Sequence, residues 1–402
     1  MAGDAAVGLA DVGDVTMDVP SAYREGLPRA EAIHPSITAK YVEYTRVGDP
    51  LLDPVMEELR DLDPDNLHRF IGAGIDQRAA LKDAPIALRN FFQEVGEPPA
   101  WLDYDAHRPA RRAFHAYSTN VLVAFVAGVL IEGFSTLISK SFAMTGRVLT
   151  PDSARRRLMQ NNRHLLEVFF PGGLERNGDG WKLSMRLRFV HARVRELLAN
   201  SGIWDQDHLG TPISAAHMGF ATSVFSARLL RHAAQVGAVF NKEEQESVMQ
   251  VWRYAGHVMG VPEEILFTDR QHAEHIIDIA RACEPPPDAD AAAMANALIG
   301  AVPLVAGIED TAEQQRVRQL AYRLSRALIG HGLADQLRFP KMWTFGTLLG
   351  FRLKQRWEKS RTGAQGVRSQ NFTQMLDISV YDDPNVTYRM PDHWNSRKSN
   401  PW

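Results

Sequence analysis

Three residues near the middle of the chain have the types and spacing of a metal-binding helix face. Arg188, His191 and Arg195 are separated by steps of three and four residues, so in a helix they share one face. They lie within an amphipathic stretch, Leu183 to Ala199, whose apolar residues recur at helical spacing. A neutral imidazole binds metals, and guanidinium groups bind carboxylates in a bidentate manner.

The face permits two interpretations. No carboxylates lie nearby in sequence to pair both arginines, which favours a metal ligand between two cations that bind the carboxylates of a cofactor. The alternative is a partly buried histidine beside two solvated arginines, and spacing by itself favours that alternative because single histidines on helices are common.

Composition excludes several classes of protein. With 402 residues, 45% hydrophobic and 23% charged, the chain has an ordinary globular composition and can build a large core. A formal charge of -3 gives no reason to expect nucleic acid as a partner. The single cysteine, Cys283, excludes an intrachain disulfide and argues against a cysteine-based metal site. The acidic start, Met1 to Pro20, lacks the basic and apolar parts of a signal peptide, so we expect a cytoplasmic protein, with export of a longer precursor left open.

One apolar run has almost the length of a membrane span. Val121 to Ile138 contains 18 residues, but Glu132 interrupts it and Gly128 and Gly133 weaken it. A helix that is apolar on all sides is also what the centre of a large helical core requires. We therefore predict a buried helix here and no segment that spans a membrane.

Helical periodicity dominates the chain, and no alternation typical of strands is sustained, so the predicted fold class is all-α. Ser153 is a predicted helix cap, as is Thr211 or Ser214, and Asn241 with Glu244 has the spacing of a capping box. Residues 1–35 are predicted to be irregular, and Glu284 to Pro287 are the best candidate for an internal boundary. The predicted helices cover residues 51–62, 66–81, 110–144 (as one or two helices), 154–170, 183–199, a stretch up to 235, one from 241 to 260, 288–302, 312–331 and 341–359.

Other constellations are weaker. Glu31 and His34 have the Glu-x-x-His spacing of di-iron bundles, but there is only one such pair and it falls in the irregular leader. His272 and His275 can share a helix turn, yet they lack the spacing and the glutamate of a zinc hydrolase and fit a solvated face better. The chain contains neither a glycine-rich phosphate loop nor a Gly-x-Ser-x-Gly nucleophile motif, which removes the commonest nucleotide-dependent and hydrolase mechanisms.

Several short motifs together resemble those of the latex-clearing-protein family, which includes the fungal oxygenase of mycophenolic acid biosynthesis and bacterial relatives. Each motif is weak alone, but their common order between about residues 98 and 270 is specific. The motifs are Pro99-Ala-Trp101-Leu-Asp103, Pro171-Gly-Gly-Leu174, Arg188-x-x-His191-x-x-x-Arg195, Pro212-Ile-Ser214, Trp252-Arg-x-x-Gly256 and Gly260-Val-Pro-Glu263.

The resemblance implies a single large helical domain with a globin-like core that binds haem b. By that match His191 is the proximal ligand of the haem iron, and Arg188 and Arg195 are the flanking arginines of the family motif. We expect an N-terminal extension over residues 1–97, a haem-binding core over 98–283, and helices and a tail over 284–402 that pack on the core. The family's oxygenases insert dioxygen across an isoprenoid carbon–carbon double bond, so the implied partners are O2 and a hydrophobic, unsaturated substrate.

The opposite, distal side departs from the rubber-cleaving pattern. Arg157 matches the family arginine, whereas Gln160 stands in the place of a lysine and Asn161 in the place of a threonine. Amide side chains donate hydrogen bonds but cannot act as bases near neutral pH. The family's distal glutamate falls near Lys140, where this chain has no acid; Glu132 is the closest one.

These substitutions leave the distal chemistry open. Lys140 is the nearby amine that can take over distal coordination, and Phe169, Phe170, Phe220 and Phe225 either line a substrate channel or pack in the core. The predicted function is a haem-dependent oxygenase of a hydrophobic, isoprenoid-like substrate, with polyisoprene itself disfavoured. The alternatives are a haem peroxidase or hydroxylase, and a haem-binding or sensing protein without catalysis. The sequence leaves the oligomeric state open.

Overall fold

The structure, a computed structural model, describes residues 18–146, 150–380, 390–393, 395 and 398. Within these ranges the regular elements are all helical and no strand occurs, which confirms the all-α prediction. The predicted irregular leader is outside the described residues up to position 17, and from Ser21 onward it contains short helices instead.

Six α-helices come first in the described part of the chain, and their buried side chains belong to the same core as those that follow. Proline or an acidic cap starts several of them; Asp63, for example, accepts a hydrogen bond from the backbone of Asn66 at the start of the fifth helix. They are α1 (Ser21–Arg24), α2 (Leu27–Glu31), α3 (Pro35–Glu43), α4 (Leu52–Glu58), α5 (Pro64–Ile75) and α6 (Ile86–Glu94).

The predicted long helix over residues 110–144 is broken into shorter pieces. Its first two parts meet at an angle of 92°. A π-helical turn, Phe125–Val129, joins the second and third parts, and its extra residue shifts the helix face by part of a turn. The pieces are α7 (Arg108–Ala116), α8 (Ser118–Ala124), α9 (Leu130–Gly133) and α10 (Ile138–Thr145).

The apolar run from Val121 to Ile138 lies mostly inside the protein, as predicted. Among the described residues, every single helix is too short or too polar to cross a membrane. The bent pair around the 92° angle meets the length and composition of a span, and nothing beyond length and composition supports that reading.

The centre of the molecule is an antiparallel helical hairpin, α11 (Pro151–Phe169) and α12 (Asp179–Ala199). Thr150 caps α11 in a reciprocal capping box, so Ser153, the predicted cap, is its third residue. The turn between the helices needs glycine: Gly172 has a positive φ of 71°, and a Cβ on Gly173 would lie 1.9 Å from the Glu167 carbonyl oxygen.

The remaining helices pack on the hairpin or on one another; α18 and α16, for example, contact the hairpin directly. Ser214 and Asn241 cap the helices that follow them, as predicted. A second π-helical turn, Val224–Arg228, has the same length as the first. One buried cluster runs from Val19 to Phe339. The helices are α13 (Gln206–Leu209), α14 (Ala215–Ser223), α15 (Leu229–Gln235), α16 (Lys242–Val258), α17 (Arg270–Cys283), α18 (Ala289–Val305), α19 (Thr311–Ile329), α20 (His331–Gln336) and α21 (Thr347–Val380), the last broken at Gly363.

Candidate functional site

Helix α12 presents Arg188, His191 and Arg195 on one side, as their spacing predicts. The His191 side chain is half-buried, and within the described part of the chain its enclosed Nδ1 atom has no hydrogen-bond partner. Enclosed polar atoms in proteins are normally hydrogen-bonded, so the unbonded ring nitrogen makes His191 a candidate ligand.

The surroundings of His191 keep its ring neutral. Burial, together with the positive charges of Arg195 and Arg157, lowers the pKa of His191 to about 3. A neutral imidazole has a free lone pair at one nitrogen, which is the form that coordinates a metal.

Arg188 is not free, contrary to the expectation from the sequence. Its Nε and Nη2 atoms donate to the two carboxylate oxygens of Asp49 at 2.6 and 2.8 Å. Both side chains are almost fully buried, at 6% and 5% exposure, so the pair is shielded from water and salt. Asp49 lies 139 positions away in the chain, so the helix spacing around Arg188 does not indicate this partner.

Arg195 has a second aspartate in the same geometry. Its Nε and Nη2 atoms donate to the Asp53 carboxylate at 2.8 and 2.7 Å, and Nη1 donates to the Ile213 carbonyl at 2.8 Å. Asp49 and Asp53 are four residues apart, and they bind arginines seven residues apart on α12. The two pairs therefore hold α12 on both sides of His191, and we call them the aspartate clamp.

Glycine makes room for the clamp. A Cβ on Gly48 would lie 2.1 Å from the Asp53 carboxylate, and one on Gly260 would lie 2.2 Å from the Asp49 carboxylate. Gly260 also has a φ of 84°, in the left-handed region that glycine tolerates. The Gly260 motif that marks the resemblance to a family thus serves the packing around Arg188.

Helix α11 lies against the same face of α12. His164 Nε2 donates to Ser184 Oγ at 2.8 Å, and Ser184 in turn donates to the Gly180 carbonyl. In an antiparallel hairpin this register puts Arg157 beside His191, in agreement with the effect of Arg157 on the His191 pKa. The structure therefore brings together two of the predicted site residues from different helices.

The other predicted distal residues have defined positions. Asn161 Nδ2 donates to the Arg157 carbonyl of its own helix at 3.0 Å, and Gln160 is half-buried on the same helix. Lys140 forms ion pairs with Asp288 and, at 2.7 Å, with Asp290 at the start of α18. In this structure the Lys140 amine is bound by these two carboxylates, and the roles predicted for Lys140, Arg157, Gln160 and Asn161 all stay predictions.

Glu132, the acid closest to the expected distal position, belongs to a different buried network. Its carboxylate lies 3.1 Å from His232 Nε2, 2.9 Å from Arg281 and 3.5 Å from Arg228. Burial alone would raise the pKa of Glu132, but the His232 hydrogen bond and the two arginines outweigh it and lower the pKa to about 2. A carboxylate held this firmly in its ionised form is a very weak base.

The four phenylalanines proposed for a channel pack in the core. Phe169 and Phe220 are buried, Phe170 and Phe225 partly so, and the Phe225 ring meets that of Trp252 edge-on at 5.2 Å. Phe169 also lines a small apolar cavity together with Phe114, Phe240 and Leu230.

Two features of the site escaped the sequence analysis. The clamp aspartates sit in the N-terminal part of the chain, before the stretch that carried the resemblance. Asp49 and Asp53 lie one helical turn apart and each precedes a proline, but this local pattern does not indicate which arginines they bind. His164 was equally invisible, because its partner Ser184 is a common residue on a helix face.

Three of the motifs that carried the resemblance meet in space. Trp101 Nε1 donates to Glu263 at 2.8 Å, and the Arg253 guanidinium stacks on the Trp101 ring at 4.0 Å. The fold and site thus define an all-α protein in which a neutral histidine is fixed between two buried or half-buried ion pairs.

Comparisons with known proteins agree with this description. Residues 112–357 match the family model described as "ER-bound oxygenase mpaB/B'/Rubber oxygenase, catalytic domain". Since this match covers more than half of the chain, the protein belongs to that oxygenase family.

One sequence relative and one solved structure also resemble the chain, both at low sequence identity. A rubber oxygenase from Streptomyces sp. (strain K30) is 25% identical over 189 residues, which make up 45% of this chain and 45% of that protein. The chain therefore aligns with less than half the length of this relative. The structure titled "Structure of Latex Clearing Protein LCP in the closed state" superposes with a TM-score of 0.64 at 20% identity, over 83% of this chain and 91% of that one, which shows a shared fold.

Proposed function

We propose that this protein is a haem b-dependent oxygenase that adds dioxygen to a hydrophobic, unsaturated, isoprenoid-like substrate. The observation that carries the proposal is His191: a neutral, half-buried imidazole with an enclosed nitrogen that lacks a protein partner, in a chain of an oxygenase family. When bound, haem would supply the activation of dioxygen.

The donor set fits haem better than a bare metal ion. Among the described residues, no group of three histidine, cysteine or acidic side chains is arranged to hold an ion. A metal at His191 thus needs most of its ligands from outside the chain, and a porphyrin provides four.

The chain's own residues hold and shape the site. The aspartate clamp fixes the position of α12, so the His191 ring is presented without rearrangement. Because their guanidinium groups are bound by Asp49 and Asp53, Arg188 and Arg195 act as positioning residues for His191, and their direct contact with cofactor carboxylates stays a prediction. Arg157 provides a positive charge on the opposing helix, where its guanidinium stacks on Phe142 at 3.8 Å.

Haem loading is the first test. The purified protein should show a Soret band, and His191→Ala should lose most of it because the proximal bond anchors the iron. His107→Ala is the matched control: His107 is also buried with a ring nitrogen that has no partner among the described residues, but it is enclosed by Tyr104 and Tyr254. Full haem retention in His191→Ala, or equal loss in both variants, would remove the proposed ligand.

Oxygen consumption tests the reaction. The haem-loaded protein should consume O2 with squalene or shorter polyprenes and not with the saturated counterpart squalane, since the double bond is the reacting group. Turnover that requires hydrogen peroxide would indicate a peroxidase instead. Haem binding without turnover on any unsaturated substrate would favour the binding or sensing alternative.

A further inference from the structure

Five large apolar side chains are exposed at the start of α21: two lie just before the helix and three lie in its first turns. Burying large apolar side chains is strongly favourable, so five of them in one short segment facing water are unusual. We call them the α21 stripe: Trp343 (78% exposed), Phe345 (84%), Leu349 (58%), Leu353 (54%) and Trp357 (59%).

The α21 stripe faces away from the rest of the protein. Its three helical members are four residues apart and share one face of α21. The opposite face packs on the protein: Leu348 and Phe351 contact the core, and Arg352 Nε donates to the Gln235 carbonyl at 2.7 Å. Anchored on one side, the helix keeps its apolar stripe directed outward.

Positive charge surrounds the stripe. From Lys341 to Arg361 the segment carries six lysine and arginine residues and one acid, Glu358, although the whole chain has a formal charge of -3. Lys354 and Arg356 are exposed, and the Arg361 guanidinium lies 4.6 Å from the centre of the Trp357 ring. The basic charge is therefore concentrated on the segment that is also most apolar.

We propose that the α21 stripe binds the surface of an anionic phospholipid bilayer, with α21 lying in the plane of the interface. Tryptophan and phenylalanine enter the boundary between headgroups and acyl chains, while lysine and arginine pair with lipid phosphates. Such binding does not require a helix that spans the bilayer.

The positive charge of the segment favours an anionic bilayer over two other binding partners, a second copy of the chain and a neutral hydrocarbon particle. A second copy of the chain would bring the same six positive charges together, which opposes association. A neutral hydrocarbon particle would cover the apolar side chains but offer the basic ones no partner. An anionic bilayer satisfies both features of the segment.

Vesicle sedimentation of the full chain is the direct test. Binding should be strong on phosphatidylcholine vesicles that contain phosphatidylglycerol, weak on phosphatidylcholine alone, and reduced by salt. Lys354→Glu combined with Arg356→Glu should weaken binding by at least roughly 25-fold, since each positive charge lost costs about fivefold and the added negative charges are repelled as well. Trp343→Ser combined with Phe345→Ser should weaken it by about tenfold or more.

The matched control lies on helix α6. Ile86 is 62% exposed and Arg89 is exposed on the same helix, so Ile86→Ser combined with Arg89→Glu removes similar chemistry from another surface and should leave binding unchanged. Lipid binding requires neither haem nor His191, so His191→Ala should bind vesicles like the wild type. A failure of the lipid-binding proposal can therefore be distinguished from a failure of the proposed haem-dependent function.

Three results would overturn the proposal. Equal binding to neutral and anionic vesicles, or no binding, would remove the role of charge. Unchanged binding in both stripe variants, with helical content intact by circular dichroism, would place the lipid site elsewhere. A concentration-dependent dimer that the serine variants dissolve, without lipid binding, would identify a second copy as the occupant.

Discussion

At the scale of single residues, the chain contains several buried histidines, and their partners separate them. His164 is bound to Ser184 and His232 to Glu132, so both have structural roles. His191 combines accessible surface with an enclosed, unbonded nitrogen. Its identity as a ligand candidate therefore follows from what surrounds it and not from residue type.

The aspartate clamp gives a ranked prediction. Asp49→Ala leaves the buried Arg188 uncompensated, and it should lower the free energy of unfolding by about 3–5 kcal/mol. Asp53→Ala should cost less, about 1–2 kcal/mol, because the Asp53 side chain is 35% exposed and water partly replaces it. Urea unfolding of both variants measures which substitution lowers the free energy of unfolding more.

Glu43→Ala provides the control for the clamp. Its partner Lys40 and Glu43 itself are about half exposed, so water and salt screen this ion pair and its loss should leave the free energy of unfolding nearly unchanged. Equal losses at positions 43, 49 and 53 would show that burial does not set the strength of the clamp pairs.

At the scale of elements, two π-helical turns shape the core. Phe125–Val129 and Val224–Arg228 contact each other, and Glu132 and Arg228, which pair, lie within or just after them. A π turn rotates the residues that follow it, so these turns place the buried charges of both helices on facing sides. The π-helical turn after Val121 could not be predicted from the sequence, because an apolar composition does not distinguish a π-helical turn from an α-helical one.

Two glycines on this stretch provide a matched pair. A Cβ on Gly128 would lie 2.6 Å from the His232 ring, whereas one on Gly133 would meet Phe225 at an ordinary 3.5 Å. Gly128→Ala should therefore destabilise the protein by about 1–3 kcal/mol through overpacking. Gly133→Ala should be neutral or stabilising by up to about 1 kcal/mol, since alanine lowers the entropy of the unfolded chain.

Thermal and urea unfolding of the two alanine variants test the contact. If Gly128→Ala were as stable as Gly133→Ala, the approach of the π turn to His232 would not be as close as the structure has it.

At the scale of the whole molecule, burial of several histidines makes stability depend on pH. Burial lowers the pKa of His107 and His164 to about 4 and of His191 to about 3, whereas an unfolded histidine titrates near 6.5. Between these values the unfolded chain binds more protons than the folded one. Their stabilising contribution is therefore complete above about pH 6.5 and declines as the pH falls towards 4.

His164→Gln isolates one of these contributions. Each buried histidine should cost about 1.4 kcal/mol per pH unit, so the loss of stability between pH 6.5 and 5 should be roughly 2 kcal/mol smaller in the variant than in the wild type. Glutamine does not titrate and retains an amide for Ser184. His68→Gln, at an exposed position, is the control, and an equal pH dependence in wild type and His164→Gln would contradict the assigned pKa.

Much of the architecture follows from the sequence alone. Helical periodicity and cap residues act over a few positions, so the all-α class, the cap at Ser214 and the capping box at Asn241 were predictable. The shared face of Arg188, His191 and Arg195 has the same local origin. The ordered short motifs identified the family, and some of them, such as the turn at Gly173 and the close approach at Gly260, are sites where only glycine fits.

Tertiary structure decided the rest. Which carboxylates meet Arg188 and Arg195 depends on contacts across 139 and 142 positions, and no local pattern specifies such a distance. The π turns, the pairing of Lys140 with the start of α18 and the burial of Glu132 likewise depend on neighbours from other helices. The sequence thus determined the elements and their caps, whereas the folded chain assigned each charged side chain its partner, because a partner is set by proximity in space and not along the chain.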